Sequence, residues 1–161
     1  MIRSATPADA QAICDIYNPY VEHSVISFEE TPIDAATMAQ RIADIRQRHP
    51  WYVAEEAGRI LGYAYAGPWR PRVAYRHAVE TSVYLAADAT GRGLGRALYA
   101  AVLDELPRNG FRCAMGGIAL PNDASVALHE AMGFVKVAHF RDVGFKFGRW
   151  IDVGYWQRML A

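Results

Sequence analysis

A strand-like segment that runs into closely spaced glycines, and then into a helix, constrains this fold more than any other feature of the chain. Residues 79–85 are rich in β-branched and aromatic side chains, and the helix that follows the glycines has apolar residues at helical spacing: Leu94, Leu98, Val102 and Leu106. Glycines let backbone N–H groups approach an anion, and a helix N-terminus adds unpaired donors. Two interpretations remain open for this segment: a diphosphate site, formed by Gly91, Arg92, Gly93, Leu94, Gly95 and Arg96, or a turn that only changes the chain direction.

Two other phosphate-binding motifs do not fit the same segment. A Walker loop needs Gly-Lys-Ser/Thr, a tripeptide that the sequence lacks. A dinucleotide-binding turn needs a third glycine one position later, where Arg96 stands. An antiparallel hairpin also precedes this strand, which is not the opening of a doubly wound domain.

The remaining pattern predicts an α/β fold with a mixed sheet and helices on both faces. The element order is β-α-α-β-β-β-α-β-α-β-β, in one domain over residues 1–161. The second helix starts near Asp34 and ends before Pro50, and a short helix runs from residue 121 to Gly133. The predicted strands are 2–4, 51–56, 60–66, 79–85, 112–120, 134–140 and 151–159, with an aromatic loop before the last.

Charge and cysteine usage argue against several partners. Lys plus Arg and Asp plus Glu number 17 each, so nothing in the total charge points to nucleic acid or an anionic membrane. The two cysteines, Cys14 and Cys113, lack metal-ligand spacing, and neither a signal peptide nor a membrane-length apolar run is evident. The sequence therefore predicts a cytoplasmic protein with reduced thiols and no metal.

Several longer segments carry a more specific resemblance. The chain resembles the phosphinothricin and methionine sulfoximine acetyltransferases of the GNAT superfamily in residues 64–70, 79–84, 120–126, 128–134, 145–148 and 150–157. The superfamily's pyrophosphate loop is Gln/Arg-x-x-Gly-x-Gly/Ala, and residues 90–95 match its glycines. Thr90 replaces the usual Gln or Arg, which affects one side-chain phosphate contact and not the backbone cradle.

The resemblance implies the acyl-CoA N-acyltransferase fold with acetyl-CoA as co-substrate. The pantetheine arm would pair with the strand before the glycines like an added strand, through main-chain contacts at Val83, Tyr84 and Leu85. An N–H near Val83 would face the thioester oxygen. Asn122 and Ser125 would contact the pantetheine, and Asn122 can also cap the following helix.

Two side chains are candidates for proton transfer. Glu80 lies inside an apolar strand, on the same face as Ser82 and Tyr84, where an unpaired carboxylate is costly. The resemblance implies that Glu80 is the general base, acting through water; the alternative is a glutamate on a solvated sheet face. It also implies that His129 protonates the leaving thiolate. The alternative is a partly buried histidine that only forms hydrogen bonds. A zinc helix would need histidine at Gly133.

A loop and one aromatic residue predict the acceptor, which is the substrate whose amine receives the acetyl group. By resemblance, Arg72 and Tyr75 hold an acidic amino acid and Phe28 walls its pocket, although a solvated basic loop would also explain Arg72. Glu29 stands where some relatives have Arg. If Glu29 points inward it repels a fully anionic phosphinate, so we rank methionine sulfoximine and sulfone above phosphinothricin.

These observations predict an enzyme that acetylates the α-amine of a small amino-acid analogue. The alternatives are an acetyltransferase for protein N-termini or polyamines, an inactive acetyl-CoA-binding module and, remotely, a nicotinamide-binding protein. The resemblance also implies a homodimer. The C-terminal stretch forms either a surface for a partner or part of the ordinary core. Its apolar and aromatic residues are Trp150, Ile151, Val153, Tyr155 and Trp156.

Overall fold

The computed structural model describes residues 1–160 and has the predicted order of seven strands and four α-helices. The strands are β1 (Ile2–Ser4), β2 (Trp51–Glu56), β3 (Arg59–Pro68), β4 (Ala78–Leu85), β5 (Cys113–Leu120), β6 (Val135–Lys146) and β7 (Arg149–Met159). The helices are α1 (Ala10–His23), α2 (Ala35–Arg46), α3 (Leu94–Glu105) and α4 (Asp123–Ala131).

All seven strands form one sheet in the order β1-β2-β3-β4-β5-β7-β6. Only the central pair, β4 and β5, is parallel, and α3 connects its two strands. This pair is short, because it joins Ala78–Glu80 to Cys113–Met115 and stops there. Beyond Glu80 the two strands diverge, while β5 stays paired with β7 as far as Leu120. The sheet is therefore split at its centre, towards the carboxyl end of β4.

Strand alternation divides the interior into two cores. Val53 packs under α1 and α2, whereas the adjacent Ala54 packs under α3 on the opposite face. The α1–α2 core includes Ile13, Tyr17, Met38, Ile42, Trp51 and Tyr63. The α3 core includes Leu98, Tyr99, Val102, Ile118 and Trp156, with Leu128 of α4 packed against it. The prediction of helices on both faces of a mixed sheet is confirmed.

The helix starts that position the site have identifiable caps. The Asp34 carboxylate accepts the N–H of Thr37 at 2.7 Å and begins α2. The Asn122 side chain accepts the N–H of Ser125 at 3.2 Å and begins α4, as its capping interpretation predicted. Gly93 precedes α3 in the left-handed conformation, with φ of 78°.

The predicted aromatic loop before the last strand is wrong. β6 continues to Lys146 and β7 already begins at Arg149, so this segment is a long hairpin. Phe147 and Gly148 form its turn, with φ of 53° and 72°. The register shifts between Phe140 and Gly144, where Asp142 also has a positive φ of 51°. This bulge interrupts the alternation of side chains without ending the strand.

The C-terminal stretch is mostly core, and only part of it is free surface. Ile151, Val153 and Trp156 are buried, whereas Trp150 is 65% exposed. A larger apolar surface lies on the edge strand β6 and its turn, at Val135, Val137, Phe145 and Phe147. We call these four residues and Trp150 the β6 surface.

Three further observations concern the described residues. None of the helices within residues 1–160 has the length and apolar character needed to cross a membrane. The same residues contain no group of three or more His, Cys, Asp or Glu side chains arranged to hold a metal ion. Cys14 and Cys113 are both free thiols, and Cys14 is buried.

Candidate active site

The divergence of β4 from β5 opens a narrow cavity of about 60 Å³, which we call the wedge. It is lined on the β4 side by residues 81–84 and on the β5 side by residues 117–119. Five residues assigned to acetyl-CoA or to catalysis come together here: Val83, Tyr84, Asn122, Ser125 and His129. Leu85 follows at the end of β4, where its carbonyl oxygen accepts the Tyr20 hydroxyl at 2.5 Å. Since β4 has no strand partner on this side beyond Glu80, its main chain can pair with an extended ligand.

The glycine turn follows β4 after a 3-10 turn over Ala87–Ala89, and its outer face is open. Gly91 and Gly93 have φ of 74° and 78°, and a Cβ added to either would meet no atom within 4 Å. Their role is therefore backbone conformation and not close packing. Gly95 differs, because a Cβ there would lie 3.4 Å from Leu128 of α4. Arg96 is exposed, and the Arg92 guanidinium lies 2.9 Å from Glu56 Oε1.

Glu80 lies where β4 leaves β5 and lines a second cavity of about 510 Å³, which we call the acceptor cavity. Its walls are largely apolar and comprise Ile26, Phe28, Gly117, Ala119, Phe140, Val143 and Val153, together with Arg70 and Tyr155. Burial raises the pKa of the Glu80 carboxyl, and the positive charge of Arg70 opposes that rise. Glu80 is therefore a partly desolvated carboxylate facing a space that suits a small molecule.

Arg70 and Tyr155 are cavity residues that the sequence analysis did not single out. The Arg70 guanidinium lies 4.2 Å from the centre of the Trp69 ring, which holds it at the rim. Tyr155 meets Trp69 and Phe140 edge to face, at centroid distances of 5.2 and 5.9 Å. No sequence signal separated Arg70 from the other loop arginines, because the direction of each depends on the folded loop.

Of the three predicted substrate residues, only Phe28 lines the acceptor cavity. Arg72 and Tyr75 lie in a neighbouring depression of about 300 Å³, which Arg70 also lines. Arg72 immediately precedes a 3-10 turn over Val73–Tyr75, and Tyr75 is the last residue of that turn. Within one chain, the structure therefore brings Arg70 to the cavity in place of Arg72 and Tyr75.

His129 is buried in α4 with both ring nitrogens engaged. Its Nδ1 lies 2.7 Å from the Ser125 carbonyl oxygen and its Nε2 lies 2.8 Å from the Tyr99 hydroxyl. Since a carbonyl can only accept, Nδ1 carries the proton and Nε2 accepts from Tyr99. Burial lowers the pKa of the imidazole. The site therefore holds His129 in its neutral form.

Glu29 does not point into the acceptor cavity, so the expected repulsion of a phosphinate does not arise. Its carboxylate accepts two hydrogen bonds from Arg41, at 2.7 and 3.1 Å, and one from the Tyr17 hydroxyl at 2.7 Å. The Arg41 hydrogen bonds lower the pKa of Glu29. Because Arg41 compensates this charge, the ranking of methionine sulfoximine above phosphinothricin loses its basis.

The wedge and the acceptor cavity meet along a common boundary. Ile26, Gly117 and Ala119 line both of them. A thioester at the inner end of the wedge and an amine beside Glu80 would therefore be neighbours. Such an arrangement is typical of an acyltransferase that aligns an extended co-substrate with a small acceptor.

Comparison with known proteins agrees with this class. Residues 2–154 match the family model described as acetyltransferase (GNAT) domain. The phosphinothricin N-acetyltransferase of Streptomyces viridochromogenes is 43% identical over 157 residues, which cover 98% of this chain and 86% of that protein. The L-methionine sulfoximine/L-methionine sulfone acetyltransferase of Salmonella typhimurium is 39% identical over 163 residues, covering 99% and 94%.

A solved structure extends the likeness to three dimensions. The phosphinothricin acetyltransferase of Sinorhizobium meliloti in complex with acetyl-CoA superimposes with a TM-score of 0.96 at 40% identity, over 100% of this chain and 88% of that one. The chain belongs to the GNAT family of acetyltransferases. The predicted family, fold and acetyl-CoA-dependent enzyme class are thereby confirmed.

Proposed function

We propose that this enzyme acetylates the α-amine of a small amino acid whose side chain ends in an oxygen-bearing group, such as methionine sulfoximine, methionine sulfone or phosphinothricin. One observation carries the proposal: Glu80 stands in a 510 Å³ cavity that shares its inner wall with the wedge. The names of the relatives supply the acceptor class. A single acetyltransferase domain over residues 1–161 suffices for this reaction.

Acetyl-CoA, when bound, supplies the acetyl thioester. The residues of the wedge fit it, because β4 lacks a strand partner on the β5 side at Val83, Tyr84 and Leu85 within residues 1–160, which suits the amides of a pantetheine arm. Asn122 and Ser125 line the same space. Beyond β4, the Gly91–Gly93 backbone faces open solvent ahead of the α3 N-terminus, where a diphosphate is favoured. Arg92 and Arg96 flank this turn with positive charge.

Glu80 acts as the general base for the acceptor amine, directly or through one water. Its raised pKa makes it a stronger base than an exposed glutamate. With acetyl-CoA bound, the backbone N–H near Val83 would face the thioester oxygen and would stabilise the charge that develops there. The neutral state of His129 argues for a role in shaping the wedge, with the leaving thiolate taking its proton from solvent or from the amine.

Arg70 is the cation that holds the acceptor's carboxylate or its terminal oxygens. It is the only arginine among the described residues that line the acceptor cavity. Phe28, Ile26 and Val143 supply apolar walls for the methylene groups of the acceptor. With Glu29 paired to Arg41, these walls do not favour the sulfoximine over the phosphinate.

Specificity constants test this assignment. Methionine sulfoximine, methionine sulfone and phosphinothricin should be acetylated with similar kcat/KM, measured as free thiol release. Spermidine and an N-terminal peptide should be at least about a hundredfold poorer, since charge and size are mismatched in the cavity. Efficient acetylation of spermidine or peptide, with none of the amino acids accepted, would contradict the substrate class and leave the enzyme class intact.

We further propose that the enzyme is a cytoplasmic homodimer that works without metal or nucleic acid. The β6 surface supports a second copy as partner, because it combines exposed aromatic residues with an edge strand. Phe145 and Trp150 pack together on it at a centroid distance of 4.7 Å. The two free cysteines agree with a reducing compartment.

A further inference from the structure

The segment between α1 and α2 is held by buried polar contacts on both sides of Phe28. On one side, the Ser27 hydroxyl lies 2.7 Å from the Tyr17 hydroxyl and accepts the Glu29 N–H at 3.1 Å. On the other, Glu29 is bound by Arg41 and Tyr17. Ser27 is 4% exposed, whereas Phe28 between these anchors is 45% exposed in the acceptor cavity. The polar contacts therefore fix the backbone that presents Phe28.

A further polar contact to this segment comes from a residue near the end of the chain. The Lys146 ammonium donates to the Ser27 carbonyl oxygen at 2.6 Å, across 119 residues of sequence. Lys146 is only 2% exposed, and a buried ammonium is costly unless its contacts stabilise it. Glu29 and Glu30 supply nearby negative charge, although burial still lowers the pKa of Lys146. The proposed catalytic machinery does not use this group.

A glycine on the same strand face completes the contact. Gly144 and Lys146 are two residues apart on β6 and share one face. A Cβ at Gly144 would lie 2.5 Å from both Cε2 and Cζ of Phe28, so the aromatic ring occupies the space that a side chain would fill. The ring position therefore depends on a glycine and a lysine that are distant from it in sequence.

We propose that Lys146 is a positioning residue and Gly144 a specificity-determining residue for the acceptor. Lys146 fixes the Ser27 backbone, Gly144 receives the Phe28 ring, and together they set the length of acceptor side chain that the cavity admits. This inference rests on the proposed function, since it concerns the same cavity. It adds two residues that line neither the acceptor cavity nor the wedge.

The test compares acceptors that differ by one methylene in side-chain length. One methylene in an apolar pocket changes kcat/KM by about tenfold or more, which is the discrimination at stake. Lys146→Met keeps the chain length but removes the donor, and it should reduce the preference between neighbouring homologues by about fivefold or more. Lys146→Arg should retain the preference. Gly144→Ala should shift it towards the shorter acceptor, because the displaced ring narrows the cavity.

Two controls separate positioning from general damage. Lys136→Met changes an exposed lysine of the same strand and should leave the preference unchanged. The KM for acetyl-CoA should stay within about twofold in all variants, since neither residue lines the wedge. An equal loss of kcat/KM for every acceptor in Lys146→Met and Gly144→Ala, or no change in either, would overturn the proposal.

A structural measurement keeps the inference independent of the substrate assignment. If the wild-type enzyme accepts none of the amino acids, the proposed function fails, yet the position of Phe28 can still be measured. A crystal structure of Gly144→Ala should show the Phe28 ring moved off β6, and one of Lys146→Met should show residues 26–29 displaced or with raised B-factors. Unchanged positions of both in the two variants would refute the anchoring role.

Discussion

The Nδ1–H of His129 donates to the carbonyl oxygen of Ser125, one helical turn earlier, at 2.7 Å. This bond fixes the tautomer, so that Nε2 accepts from the Tyr99 hydroxyl at 2.8 Å. Because burial lowers the pKa of this imidazole, the charged form is disfavoured as well. His129 therefore joins α4 to α3 beneath the wedge, and it has no spare proton for a leaving thiolate at neutral pH.

We accordingly expect His129→Ala to cost more stability than turnover. The free energy of unfolding should fall by about 2–5 kcal/mol, because a buried side chain is lost and the Tyr99 hydroxyl is left without an acceptor. The kcat at saturating acetyl-CoA should fall by less than about tenfold, below the usual contribution of a general acid. A larger fall in kcat with unchanged denaturant midpoint would instead restore the role in thiolate protonation.

The stability of the wild type should depend on pH through the same residue. A folded-state pKa below the ordinary 6.5 means that the unfolded chain takes up the proton more readily. The His129 contribution is therefore fully present above about pH 6.5 and is lost progressively below it. The difference in unfolding free energy between wild type and His129→Ala should shrink as the pH falls from 7 to 5, as measured by denaturant titration.

Glu80→Gln should lower kcat/KM by about a hundredfold or more, the usual contribution of a general base. The wild-type acid limb should lie above the ordinary 4.5, because burial raises the Glu80 pKa, and activity should decline as the pH falls through it. The variant should lack this limb and recover partly at high pH, where the free amine is more abundant. Wild-type turnover by the variant at neutral pH would show that Glu80 is not the base and only occupies a solvated face of the sheet.

Arg70→Gln should move the acid limb of kcat/KM to higher pH. The Arg70 charge lowers the Glu80 pKa, and its removal leaves the effect of burial unopposed. The KM for the amino acid should rise by about tenfold if a charged hydrogen bond is lost. Arg72→Gln is the matched control, because Arg72 lines the neighbouring depression and not the acceptor cavity. An effect confined to Arg72→Gln would show that the acceptor extends there.

Gly93→Val should abolish the stabilisation of the fold by acetyl-CoA. Gly93 has φ of 78° with open space around a Cβ, so the substitution strains the turn without a clash. Gly110 has φ of 84° and equally open surroundings, far along the chain from the glycine turn, which makes Gly110→Val the matched control. Both variants should lower Tm, and only Gly93→Val should lose the acetyl-CoA-induced rise in Tm. Equal rises in both would remove the turn from the cofactor site.

The features that could be predicted from the sequence are those determined by residues close together in the chain. The glycine turn, the Asp34 and Asn122 caps and the lone carboxylate of β4 were all predictable, because neighbouring residues determine them. The acceptor cavity was not, since loop, β5 and β6 residues meet there only after folding. Arg72 was predicted from the resemblance, whereas Arg70 of the same basic loop is the arginine that lines the acceptor cavity.

Two adjacent glycines in β5 illustrate a signal that only the structure explains. A Cβ at Gly116 would lie 2.6 Å from the His129 ring, whereas one at Gly117 would lie 2.9 Å from Cε1 of Tyr155. Successive residues of a strand face opposite sides, so the first glycine makes room beside the wedge and the second makes room in the acceptor cavity. Each glycine is therefore required because an aromatic or imidazole ring lies close to its backbone, and substitution of each should affect a different cavity.

Gly116→Ala and Gly117→Ala should consequently fail in different ways. Gly116 is buried, and its new methyl group must displace the His129 ring, so Tm should fall and the KM for acetyl-CoA should rise. Gly117 is exposed to the cavity, and its methyl group must move the Tyr155 ring, so the KM for the amino acid should rise with a small change in Tm. Thermal melts and separate titrations of the two substrates measure both effects. If both variants raised only the KM for acetyl-CoA, the boundary between the two cavities would not lie at Gly117, and the placement of the acceptor beside Glu80 would have to be abandoned.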